Sequence, residues 1–176
     1  MILLWILLGI ILIFFGLVVF HGSPYVPTRK VYIRQALKEL YKISPNDVLV
    51  DIGSGDGTVL REAAEIGVKK AVGYEINPFL VLISKFLSRK YKNIDVKLAD
   101  FWLISLPDDT TVIYIFSVTR DIKNITKFIQ KESNRLKKSL YVISYGNEIN
   151  NIELIKKLGA FRLYIFKPLQ SHKAQV

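Results

Sequence analysis

The chain has 176 residues, a formal net charge of +10, 51% hydrophobic residues, 12% aromatics and no cysteine. That length suits one domain, and a composition half apolar excludes wholesale disorder. Disulfides, thiolate metal sites and cysteine nucleophiles are excluded, and two histidines, His21 and His172, leave little for imidazole chemistry, so no metal site is expected.

Residues 2–20, ILLWILLGIILIFFGLVVF, hold no charged side chain. As a helix at 1.5 Å per residue they span roughly 28 Å, close to a bilayer's hydrocarbon thickness. A cleaved signal starts with a positive region, has a shorter apolar stretch and ends in a small-x-small site. This run starts at residue 2 and ends in Val19, Phe20 and His21, so residues 1–21 read as a retained transmembrane anchor. Arg29, Lys30 and Arg34 on its C-terminal flank place the following domain on the cytoplasmic side by the positive-inside rule. Residues 22–30 read as a juxtamembrane linker, because Pro24 and Pro27 forbid a continuous helix. The domain is expected over residues 31–170, with a tail at 171–176.

From Arg29, apolar residues Val31, Ile33, Ala36, Leu37, Leu40 and Tyr41 recur at helical spacing, until Ser44-Pro45-Asn46-Asp47 breaks the pattern. VLVDI (48–52) reads as a strand, 58–66 as a helix, KAVGYEI (70–76) as a strand and 79–91 as a helix. Strands are predicted at 94–98 and 111–118, a basic helix at 121–138, a strand at 140–145, a helix at 151–158 and a last strand at 161–166. The alternation, with near-continuous apolar strands, predicts an α/β fold: a Rossmann-like, doubly wound, mainly parallel sheet preceded by one N-terminal transmembrane helix.

The segment Asp51-Ile52-Gly53-Ser54-Gly55-Asp56-Gly57-Thr58 joins the first strand to its helix, at the carboxyl edge where such sheets bind ligands. Alternating glycines let the backbone pass close to a ligand. A dinucleotide fingerprint needs a further glycine where Thr58 stands, and no Gly-Lys-Ser/Thr phosphate loop occurs. Asp51 at the strand end repels a pyrophosphate but can bind an ammonium group, so the turn suits a cationic, phosphate-free nucleoside. Glu75, ending the second strand, can accept both hydroxyls of a ribose. Asp100, after the third strand, can accept from an adenine amino group while Phe101 packs on the ring.

DIGSGDG, VGYEINP (72–78) and ADFW (99–102), with PYVPT (24–28) ahead of the first domain helix, together resemble the class I (seven-strand) S-adenosylmethionine-dependent methyltransferases. The narrower resemblance is to the small protein-lysine methyltransferases, which include the archaeal protein-lysine and ATP synthase c-subunit lysine N-methyltransferases. The resemblance implies S-adenosyl-L-methionine as cofactor and a lysine on a protein as acceptor. It implies that Asp51, Gly53, Ser54, Gly55 and Gly57 shape the pocket for the methionine part of the cofactor. Glu75 would hold the ribose, Ile76 and Asn77 would flank the adenosine, and Asp100 and Phe101 would meet the adenine. Tyr25 and Thr28 would close the pocket from the linker side. After the fourth strand, Phe116-Ser117-Val118-Thr119-Arg120 stands where many amino-methylating members carry an Asn/Asp-Pro-Pro-Tyr loop. Ser117, Thr119 and Tyr145 are the acceptor-site candidates. The C-terminal part shows one clear strand where this fold ends in an antiparallel hairpin.

Lys123, Lys127, Lys131, Arg135, Lys137 and Lys138 line the long basic helix, either as a solvated face or, beside an anchor, toward anionic lipid headgroups. No aromatic-interleaved basic motif is present, so nucleic acid is not an expected partner. The expected function is that of a membrane-anchored methyltransferase acting on protein lysine. The alternatives are a methyltransferase for a lipid or isoprenoid small molecule, and a catalytically silent cofactor-binding module.

Overall fold

The computed structural model describes residues 1–6, 8, 9, 29–117 and 121–169. Helix α1 (Lys30–Gln35) runs into a π-helical turn (Ala36–Leu40), and together they bury Ile33, Ala36, Leu37 and Leu40 of the stripe read in the sequence, whereas Val31 is exposed and Tyr41 is half-buried just past the turn. Then follow β1 (Val48–Ile52), α2 (Thr58–Ile66), β2 (Lys70–Glu75), α3 (Pro78–Ser88) and β3 (Ile94–Leu98). A 3-10 turn (Phe101–Leu103) leads to β4 (Val112–Ser117), α4 (Ile122–Leu136), β5 (Leu140–Gly146), β6 (Glu153–Leu158) and β7 (Phe161–Phe166).

The seven strands form one sheet in the order β3-β2-β1-β4-β5-β7-β6. Strands β1 to β5 run parallel, and β7 enters antiparallel between β5 and β6. Every residue of β1 is buried, because successive side chains point to opposite faces and both faces are covered. Leu49, Leu60, Val81 and Tyr114 belong to the core under α1 to α3, and Val50, Val72, Ile113 and Ile129 to the core under α4. Parallel pairing brings the carboxyl ends of β1 to β5 to one edge. The winding direction reverses between β1 and β4, which is where such sheets open a ligand crevice.

The C-terminal part corrects one expectation. Residues 153–158 form an edge strand, not a helix. Leu154, Ile155 and Leu158 follow helical spacing in isolation, but pairing of Leu154 with Tyr164 and of Leu158 with Phe161 gives this segment its place in the sheet. Gly159, at φ +57°, opens a two-residue turn into β7, and the exposed Lys156 and Lys157 suit a sheet edge. The closing hairpin is therefore present.

The anchor expectation is corrected as well. Residues 2–6, 8 and 9 are helical. No helix among the described residues is long and apolar enough to cross a membrane. The transmembrane helix over residues 1–21, the single-pass placement facing the cytoplasm and the membrane partner inferred from it therefore do not hold. Residues 7 and 10–21, the linker up to residue 28 and the tail at 171–176 lie outside the described residues.

Candidate functional site

Three glycines at positive φ, Gly53 (+75°), Gly55 (+55°) and Gly57 (+78°), carry the chain from β1 into α2. The N–H groups of Gly53 and Ser54 donate to the Tyr74 carbonyl at 2.9 and 3.0 Å, which fastens the turn to the end of β2. Among the described residues no atom lies within 4 Å of where a Gly53 Cβ would stand, so this part of the turn borders open space among them. Gly57 is the opposite case: its Cβ would lie 2.1 Å from Ser84 Oγ on α3. Gly73 in β2 is a residue that the sequence reading misses, yet a Cβ there would meet Leu60 Cδ1 and Ser54 Oγ, each at 2.6 Å. An isolated glycine inside a β-prone run is the available signal. The Ser54 hydroxyl is buried over this glycine without a hydrogen-bond partner among the described residues.

Glu75 is the last residue of β2 and is 8% exposed. Its Oε2 accepts the N–H of Gly55 at 2.9 Å, and its Oε1 accepts the N–H of Asn77 at 2.8 Å. Each oxygen keeps a further lone pair, so the carboxylate is held rigid and can still accept two hydroxyls. Asn77 caps α3: its Oδ1 accepts the Phe79 N–H at 3.0 Å, and Pro78 takes the first helical position. Ile76, between them, is exposed. Leu98 stands in register with Glu75, and the Ala99 N–H donates to the Glu75 carbonyl at 3.0 Å, which brings Asp100 next to the end of β2. Asp100 Oδ1 accepts the Trp102 N–H at 3.0 Å, and Phe101 packs against the rings of Trp102 and Phe128 at 4.2 and 5.8 Å between centroids.

Asp51, 3% exposed, sits in register between Gly73 and Tyr114. Burial first, then the charge of Glu75, then that of Asp56, push its pKa well above the usual carboxylate range. In a chain of net charge +10, the glycine turn is thus a local concentration of acid, and a cationic ligand relieves its repulsion. Asp56 is engaged with Arg61 at 3.2 Å and with the Thr58 hydroxyl. Among the described residues no group of three or more His, Cys, Asp or Glu side chains could hold a metal ion.

Of the acceptor candidates, Ser117 ends β4 in register with Gly146, and Tyr145 stands in register with Phe116 on one side and Phe161 on the other. The Tyr145 ring lies 5.7 Å from Phe116 and 4.7 Å from Phe161, which forms an aromatic wall of which the sequence revealed only Tyr145. Tyr25, Thr28 and Thr119 lie outside the described residues.

The family model of the ANTKMT methyltransferase domain matches residues 51–156. The chain is 36% identical over 112 residues to an ATP synthase c-subunit lysine N-methyltransferase of Xenopus laevis, covering 62% of this chain and 48% of that protein, about half its length. It is 34% identical over 142 residues to a protein-lysine N-methyltransferase of Saccharolobus islandicus (strain REY15A), covering 76% of this chain and 84% of that protein. Among solved structures, an RNA methyltransferase from Salinibacter ruber in complex with S-adenosyl-L-homocysteine is similar with a TM-score of 0.71 and 23% identity, covering 82% of this chain and 95% of that one. At that identity the likeness is one of fold.

Proposed function

Since the chain belongs to the ANTKMT methyltransferase domain family, of the class I S-adenosylmethionine-dependent methyltransferases, we propose that it transfers a methyl group to lysine side chains of a protein. The observation that carries this reading is the Glu75 carboxylate, pinned by the Gly55 and Asn77 N–H groups at an open glycine turn with Asp51 buried beside it. Glu75 then accepts the two ribose hydroxyls, the acid group of Asp51, Glu75 and Asp56 receives the cationic methionine part, and Asp100 and Phe101 face the adenine, with Ile76 and Asn77 along the adenosine. Gly53, Ser54, Gly55 and Gly57 bring backbone against the ligand. When bound, the cofactor supplies a methyl group on a positively charged sulfur.

The chain's own task is mainly alignment, which supplies roughly 7–11 kcal/mol of barrier lowering in well-oriented systems. A lysine nucleophile must arrive neutral. An aromatic wall of Phe116, Tyr145 and Phe161 next to a bound cation lowers the lysine's pKa. Two relatives named for methylating lysine in proteins, at 36% and 34% identity, support protein lysine over other acceptors.

The test is calorimetric titration of the full chain with S-adenosylhomocysteine, beside NAD and beside Glu75→Ala. Micromolar binding that the variant loses, with NAD silent, is the expected result. A folded chain that ignores S-adenosylhomocysteine, or binds NAD equally well, refutes the reading.

A further inference from the structure

Helix α3 carries its apolar residues on the wrong side. Toward the sheet it turns Val81, Ser84 and Ser88, and the two serine hydroxyls are buried without hydrogen-bond partners among the described residues. Away from the sheet it turns Leu82, Ile83, Phe86 and Leu87, exposed by 65%, 47%, 64% and 41%. At about 100° per residue, the Leu82, Ile83 and Phe86 group is centred about 180° from the buried face. This stripe is therefore no frayed border of the core: it faces solvent squarely, the reverse of what a surface helix does.

One flank of the stripe is cationic. Lys85 lies three residues after Leu82 and Arg89 three after Phe86, the spacing of neighbours on a helix surface. The Arg89 guanidinium sits 4.2 Å from the centroid of the Phe86 ring. Among the described residues no ion pair engages Lys85 or Arg89. Lys90 and Lys92 follow directly.

We propose that the outer face of α3 docks an amphipathic helix of a partner protein, which lays an apolar stripe on Leu82, Ile83 and Phe86 and sets acidic side chains against Lys85 and Arg89. Leu82 and Phe86 lie four residues apart and Ile83 and Phe86 three, so within little more than one turn they offer ridges for a helix to pack against. Charge selects the occupant. A second copy of this chain, itself at +10, would bring Lys85 and Arg89 against their own kind. The chain's own residues 2–20 carry no charged side chain to answer the cationic flank. The surface covers β2 and β3, on the other side of β1 from β4 and β5, so the partner does not compete for the acceptor site.

The probe is a synthetic fluorescent peptide, helical, with leucines at i, i+3, i+4 and i+7 and glutamates flanking them, titrated with the full chain by anisotropy. A twin with lysines for glutamates is the control. The glutamate peptide should bind at least about tenfold more tightly than the lysine twin. Leu82→Ser/Phe86→Ser should weaken it at least about tenfold, and Lys85→Glu/Arg89→Glu should reverse the preference between the peptides, with S-adenosylhomocysteine affinity unchanged in every variant. Equal binding of both peptides, or none, overturns the proposal. So does a dimer of the chain that Leu82→Ser/Phe86→Ser dissolves, or attachment to anionic vesicles that the glutamate peptide fails to displace.

Discussion

Glu75 Oε2 accepts the Gly55 N–H at 2.9 Å, a buried bond that ties the turn after β1 to the end of β2. Its partner oxygen takes the Asn77 N–H, so one carboxylate orders both segments that face the ligand.

Glu75→Gln keeps the size but can present only one accepting oxygen to two donors. Affinity for S-adenosylhomocysteine should fall by about 1.5–3 kcal/mol, the cost of losing charge-assisted hydrogen bonds. Calorimetry reads this directly, and an unchanged affinity would remove Glu75 from the site.

Gly57→Ala sets a methyl group 2.1 Å from Ser84 Oγ, at a φ of +78° that disfavours any side chain. The variant should lose about 2 kcal/mol or more of stability. Ser84→Ala alone should be neutral or stabilising, since its hydroxyl is buried without a partner among the described residues. Combined, the two changes should cost less than their sum, in a denaturation cycle that isolates the contact. Strict additivity would mean that the clash is relieved elsewhere.

Asp51 binds its proton more tightly folded than unfolded. Its contribution to stability is therefore fully present below the ordinary carboxylate value near 4 and is lost as pH rises toward the raised one. Asp51→Asn should flatten that decline and make the ligand-free chain more stable at neutral pH, while weakening its binding of S-adenosylmethionine. In the unsubstituted chain, where Asp51 still holds its proton, affinity for this cationic ligand should increase with pH by up to about tenfold per unit, as binding expels the proton. Melting curves and titrations across pH check both. Parallel profiles for the two chains would contradict the account.

What the sequence disclosed were features carried by one short segment at a time. Asp51, Glu75 and Asp100 each stand at or just past the end of a strand, so their arrival at one sheet edge follows once the strands are read as parallel. The features it hid depend on distant partners. Gly73 is required by Leu60 and Ser54, which approach from α2 and the turn before it. The aromatic wall of Phe116, Tyr145 and Phe161 exists because β7 inserts beside β5, a matter of topology. Residues 153–158 owe their strand to β7, whose pairing overrides a helical pattern of Leu154, Ile155 and Leu158. The apolar N-terminal run was legible as composition only: hydropathy alone suggested an anchor, whereas no helix among the described residues reaches the length that spanning demands.

The most direct test of the central claim is to incubate the chain with methyl-labelled S-adenosylmethionine and a protein extract, hydrolyse the products and separate the labelled amino acids. Label in Nε-methyllysine, lost with Glu75→Gln, is the expected result. Label confined to nucleic acid or lipid, or no transfer by a chain that binds S-adenosylhomocysteine, would contradict it.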